Sequence, residues 1–163
     1  MKIMDCTLRD GANVVGNGFP ADLTAMMLKG LVENGVSIIE YGNAKGLGAE
    51  EVGFPSPVTD KEYLEMAQPY MDKAEIGMFL NAKRYKKENV KYAATRGLTF
   101  LRVGADAGDG SKYYEVIDAV KSENLKCRYS LMKAYLLSPA DLAKECADLQ
   151  AHGVDEVTIM DSA

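Results

Sequence analysis

Met4-Asp5-Cys6-Thr7-Leu8-Arg9-Asp10-Gly11 is the stretch whose reading decides the fold. It reads as a short strand that delivers an adjacent guanidinium and carboxylate, with a glycine to turn the backbone. Where such a strand opens a parallel barrel, its C-terminal end faces the mouth at which chemistry is placed. Outward from this run, short apolar segments alternate with stretches of helical period, the pattern of βα units and a parallel sheet. Strands are expected near residues 2–6, 36–41, 75–80, 99–103, 126–131 and 156–160, with five helices between them. Thr59-Asp60-Lys61-Glu62 has the form of a capping box, and Ser138-Pro139 offers a serine cap with proline at the first helical position. Gly35, Gly97 and Gly153 stand where helix-terminating glycines belong. Leu23, Met27 and Leu31 form one apolar stripe, and Leu142, Cys146 and Leu149 another.

With 163 residues, 47% of them hydrophobic, the chain can bury a core and is expected to form a single domain over 1–163. A net charge of -5 argues against a general nucleic-acid or anionic-membrane binder. The run Lys83-Arg84-Tyr85-Lys86-Lys87 reads as the solvated start of a helix. Three widely spaced cysteines, Cys6, Cys127 and Cys146, suit reduced thiols, and no apolar leader or membrane-length run is present, so a cytoplasmic protein is expected. The irregular stretch 42–57, rich in glycine and proline, follows the second strand and is expected to lie over the mouth on the substrate side.

Two architectures fit a βα repeat, a barrel and an open doubly wound sheet. A complete eightfold barrel takes about 250 residues, so length alone favours the open sheet. The motifs reverse that preference. Asp5-Cys6-Thr7-Leu8-Arg9-Asp10-Gly11 resembles the opening strand of the metal-dependent lyases and aldolases related to HMG-CoA lyase and isopropylmalate synthase, the DRE-TIM metallolyases. Ile38-Ile39-Glu40-Tyr41-Gly42 with Gly46-Leu47-Gly48 and Gly53-Phe54 resembles the second strand and loop of the 4-hydroxy-2-oxovalerate aldolases. Leu101-Arg102-Val103, Leu131-Met132 before Ser138-Pro139-Ala140, and Met160-Asp161-Ser162 resemble strands four, five and six of that branch. The resemblance implies an α/β fold of the (β/α) TIM-barrel type, incomplete, with about six parallel strands and five intervening helices.

It also implies roles. Asp10 would be a ligand to a divalent metal, Mn²⁺ or Mg²⁺, whose preference for hard oxygen suits a carboxylate and a 2-oxo acid. Arg9 would hold the enolate oxygen that develops as a carbon–carbon bond breaks, and Glu40 would orient Arg9. Asn13 and Arg102 are candidates to bind substrate; Arg102 could equally pair with Asp161 or Glu40. Asp5 could support the site from behind its ligands or serve as a buried, hydrogen-bonded structural acid, and the structural reading is preferred. The family's histidine acid/base is replaced by Asn13, whose carboxamide can hydrogen-bond but not take up a proton usefully. The further His-x-His ligands on strand seven are also absent, so this chain by itself is expected to bind metal weakly or not at all and to lack full activity.

Other readings stay open. Lys133, after strand five, could form a Schiff base in a metal-free aldolase, or the barrel could bind a small acid without catalysis. The segment 104–111 could cradle a phosphate with backbone amides, although its two aspartates favour a plain turn. His152, the sole histidine, is expected to cap a helix C-terminus. Six strands cannot close an eightfold barrel, so an open, curved sheet with unpaired edges, masked by self-association, is expected.

Overall fold

The computed structural model describes residues 2–161; Ser162, the last residue of the sixth-strand motif, and Ala163 lie outside the described residues. The chain forms one six-stranded sheet with strand order β1-β2-β3-β4-β5-β6. The strands are β1 (Met4–Asp5), β2 (Ile38–Glu40), β3 (Glu75–Asn81), β4 (Phe100–Asp106), β5 (Lys126–Met132) and β6 (Glu156–Ile159), and every pairing is parallel. Helices α1 (Ala21–Glu33), α2 (Asp60–Ala67), α3 (Lys87–Thr95), α4 (Tyr114–Ser122) and α5 (Pro139–Ala151) connect them. The sheet curls into part of a barrel, an incomplete TIM-barrel-like fold as expected. β1 pairs only with β2, and β6 only with β5, so both outer strands have an unpaired edge among the described residues. Among the described residues no helix is long and apolar enough to cross a membrane.

The expected boundary chemistry is present. Thr59 and Glu62 form a reciprocal capping box at α2, and the Ser138 hydroxyl accepts from the Asp141 amide ahead of α5. Gly35, Gly97 and Gly153 each turn the chain with positive φ. The two apolar stripes are less buried than their spacing predicts. In α1 the fully buried positions are Thr24 and Leu28, and in α5 only Leu149 is fully buried. These helices lie beside the outer strands, where neighbours cover one flank only.

Alternation along the strands sorts residues onto two faces. Ile76, Met78 and Leu80 of β3, Leu101, Val103 and Ala105 of β4, and Cys127, Tyr129 and Leu131 of β5 belong to the main apolar core with the helices. The intervening positions, Glu75, Gly77 and Phe79, then Phe100, Arg102 and Gly104, then Arg128 and Ser130, line the other face and fill the barrel interior. Phe100 lies where a Cβ on Gly77 would stand, and Phe79 where a Cβ on Gly104 would stand. Two glycines therefore make room for two aromatic rings inside the curl.

Candidate active site

β1 ends at Asp5, shorter than expected, and the chain turns at once. The amides of Arg9, Asp10 and Gly11 all donate to the Cys6 carbonyl, at 3.1, 2.8 and 3.3 Å. The Asp5 carboxylate accepts from the Thr7 amide and hydroxyl and so braces the start of this turn. This turn directs Arg9 inward and Asp10 outward. The Arg9 side chain is 8% exposed and that of Asp10 63%.

Arg9 Nε donates to Glu40 Oε1 at 2.5 Å, and its Nη1 donates to Asp10 Oδ1 at 2.9 Å. Glu40, at the end of β2, is wholly buried. Arg102 grips the same carboxylate from β4: its Nη2 donates to Oε1 at 2.6 Å and its Nε to Oε2. The sequence left Arg102 open between substrate contact, Asp161 and Glu40. The structure pairs it with Glu40, and its Nη1 donates to the Ser130 hydroxyl at 2.7 Å. Both guanidiniums face the Phe79 ring, at 4.8 Å for Arg9 and 5.4 Å for Arg102.

Burial alone would push the Glu40 carboxyl up. The hydrogen bonds and charge of Arg102, then those of Arg9, more than reverse this and hold it below the ordinary glutamate value. Glu40 thus stays ionised between two cations, and with Asp10 on the outer side of Arg9 the two guanidiniums and two carboxylates balance in charge. Burial, followed by the Glu40 charge, pushes the adjacent Cys6 thiol up to about 11, which makes it a poor nucleophile.

Asn13 is fixed at both ends of its amide. Its Nδ2 donates to the Asp10 carbonyl at 2.9 Å, while its Oδ1 accepts from Lys45 Nζ at 2.7 Å. Lys45 comes from the loop after β2, which covers this end of the sheet as expected and packs closely, with Asn43, Ala44, Gly46, Leu47, Gly48 and Ala49 all buried. As a metal centre the arrangement offers one exposed carboxylate, Asp10, of suitable hard-oxygen chemistry. No group of three or more potential ligands exists among the described residues, so they do not by themselves complete a metal site.

Other candidates stand apart. Lys133 is half-exposed and faces Asp106 Oδ2 at 3.3 Å, a solvated ion-pair setting. The amides of Gly108 and Gly110, the suggested phosphate cradle, donate instead to the Glu145 carboxylate from α5, each at 2.8 Å. The backbone amide of His152 caps α5, as expected, but its ring stacks on Tyr114 and faces Asp118 at 3.0 Å. Arg84 departs from the solvated reading of its run, being half-buried over Phe54. Sequence reasoning missed Phe79, Ser130 and Lys45. For the first two a signal was present: in β3 and β4 alternate residues are polar, aromatic or glycine while those between are apolar and aliphatic, and in β5 Arg128 and Ser130 alternate with Cys127, Tyr129 and Leu131.

No protein-family model matches the chain. Over its whole length it is similar to 4-hydroxy-2-oxovalerate aldolases. That of Geobacillus genomosp. 3 is 29% identical over 164 residues, which cover 100% of this chain and 49% of the enzyme. 4-Hydroxy-2-oxovalerate aldolase 2 of Nocardia farcinica is 29% identical over 165 residues, covering 100% of this chain and 47% of the enzyme. The chain thus spans about half the length of the curated relatives it matches. Among solved structures, the carboxyl transferase domain of Rhizobium etli pyruvate carboxylase superposes with a TM-score of 0.76 at 16% identity, over 98% of this chain and 30% of that one. The same domain with 3-hydroxypyruvate gives 0.76 at 17% identity, over 99% and 30%. These superpositions show a shared fold.

Proposed function

We propose that this chain is the N-terminal part of a divalent-metal-dependent aldolase that cleaves or forms a carbon–carbon bond next to a 2-oxo acid through an enolate. Its relatives' names carry the reaction class, and one observation carries the chemistry: Arg9 is held ready at the mouth. Its Nε is committed to Glu40 and its Nη1 to Asp10, which leaves Nη2 without a protein partner among the described residues. In retro-aldol cleavage the electrons of the breaking bond flow to the ketone oxygen. A guanidinium already in position stabilises that charge without reorganising. Glu40 keeps the fork oriented, and Arg102 keeps Glu40 ionised and in place. Phe79 supplies a flat, rigid floor beneath both cations.

Asp10 would give one oxygen to a divalent ion whose other ligands come from the remainder of the barrel in the intact protein. Such an ion would supply Lewis acidity to the ketone. Asn13 orients by hydrogen bonding and holds no proton to exchange. The proton acceptor of the cleavage therefore lies outside the cluster described.

The test is pyruvate release from a panel of 4-hydroxy-2-oxo acids by the intact protein with Mn²⁺ or Mg²⁺. Turnover that Arg9→Lys lowers by about a hundredfold or more supports the reading. An intact, folded protein that releases no pyruvate from any of them overturns it.

A further inference from the structure

In a chain of net charge -5, the mouth beside Arg9 holds two neighbouring cations without carboxylates. Among the described residues Lys45 extends its ammonium to a single protein partner, the neutral Asn13 Oδ1 at 2.7 Å. Arg84, from the turn after β3, donates through Nη2 to the Lys45 carbonyl and lies over the Phe54 ring at 5.2 Å. Among the described residues neither Lys45 nor Arg84 has a carboxylate within ion-pair distance, and the buried Nε of Arg84 has no hydrogen-bond partner. Most other lysines on the same face are neutralised: Lys83 and Lys133 share Asp106, and Lys86 pairs with Glu51.

The position of Lys45 is built, not incidental. Its amide donates to Asn43 Oδ1 at 2.9 Å, and Asn43 Nδ2 in turn donates to the Phe54 carbonyl at 2.7 Å. Two residues on, the Leu47 amide donates to the Phe79 carbonyl at 2.8 Å, which ties the loop to the strand carrying the floor of the site. Asn13 then aims the ammonium at the turn that presents Asp10. A cation held by three backbone and side-chain anchors, next to a second cation and with no carboxylate within ion-pair distance among the described residues, creates a local positive potential that a small anion would neutralise.

We propose that Lys45, backed by Arg84, is a specificity-determining anion contact that selects substrates carrying a second acid group, carboxylate or phosphate, away from the 2-oxo acid end. This rests on the aldolase reading for the identity of the 2-oxo acid end, but the anion contact itself does not require the metal or turnover. The ammonium has N–H groups to spare after Asn13, enough for a bidentate approach to a carboxylate or phosphate edge.

Acetate and inorganic phosphate, titrated separately into the intact protein with chelator present and followed by calorimetry, test it without any catalytic readout. Binding of one or both by the wild type is expected, weakened about tenfold in Lys45→Met and largely retained in Lys45→Arg. The anion bound more tightly identifies the acid group. The proposal is overturned if neither anion binds the wild type, or if Lys45→Met binds as well as the wild type. It is also overturned if Lys45→Arg loses binding as fully as Lys45→Met, since the loss then reports loop packing and not charge. Because pyruvate release is measured separately, failure here leaves the aldolase reading standing, and the reverse holds as well.

Discussion

The two ends of the barrel interior are built from the same parts and put to different use. At the C-terminal end, Arg9 and Arg102 face Phe79, which fills the space beside Gly104. At the N-terminal end, Arg128 lies over Phe100 at 4.1 Å, and Phe100 fills the space beside Gly77. The acids differ. Glu40 is fully enclosed between two guanidiniums, whereas Glu75 and Glu156, the partners of Arg128, have side chains 27% and 56% exposed. One end is a dry cluster with a spare donor at the mouth; the other is a wetter ion-pair network that closes the bottom. In barrels of this kind chemistry gathers at the first end and stability at the second.

The sharpest way to break the comparison is to remove the acid from each end. Glu40→Ala leaves two buried guanidiniums unpaired and is expected to cost about 3–5 kcal/mol in denaturant unfolding. Glu75→Ala, which leaves Arg128 its second acid and frees the exposed Lys126, should cost about 1 kcal/mol or less. Equal losses would show that the two ends are equivalent.

pH separates the mouth further. Asp60, at the start of α2, accepts from the Gly48 amide of the covering loop at 2.6 Å, and the charges of Glu50 and Glu51 act on it. Burial is the main reason that its carboxyl is pushed from 3.8 up to about 7. A raised acid binds its proton more tightly in the folded state, so it lowers stability as pH rises from about 4 to about 7, by at most about 4 kcal/mol. Asp60→Asn should abolish that slope in unfolding measured at pH 5 and pH 8. Glu40 has the opposite sign: its lowered value contributes stability that is lost as pH falls below the ordinary glutamate range.

Finer discrimination comes from the glycines. Gly104→Ala and Gly77→Ala each force a phenylalanine ring aside, at about 1–3 kcal/mol. The first moves Phe79, and with it Arg9 and Arg102, so turnover of the intact protein should fall as well. The second moves Phe100 and Arg128 and should spare turnover once the protein is folded. A Gly77→Ala variant that loses activity while its melting temperature is unchanged would contradict the division of labour.

Much of this was legible in the chain. Strands two to six lie within about two or three residues of the positions their apolar runs indicate, since a buried strand needs a continuous stretch of suitable residues. β1 came out at two residues, Met4 and Asp5, because the Cys6 carbonyl takes three successive amides and ends the extended run. The Arg9–Glu40 bond was anticipated by the motif. The commitment of Arg102 to Glu40, and the Glu145 carboxylate in the amide cradle, were not.

Local order was set by the sequence alone: the parallel βα alternation, the capping box at Thr59, the serine cap at Ser138 and the turn after Asp5 depend on neighbours a few residues apart. Which charges meet was decided by the tertiary structure. Glu40 and Arg102 are 62 residues apart, and only the curl of the sheet, with Gly77 and Gly104 yielding room to two rings, brings their side chains into one dry cluster. Linear spacing specifies periodicity and caps, whereas contact across a barrel interior depends on register and curvature summed over several strands.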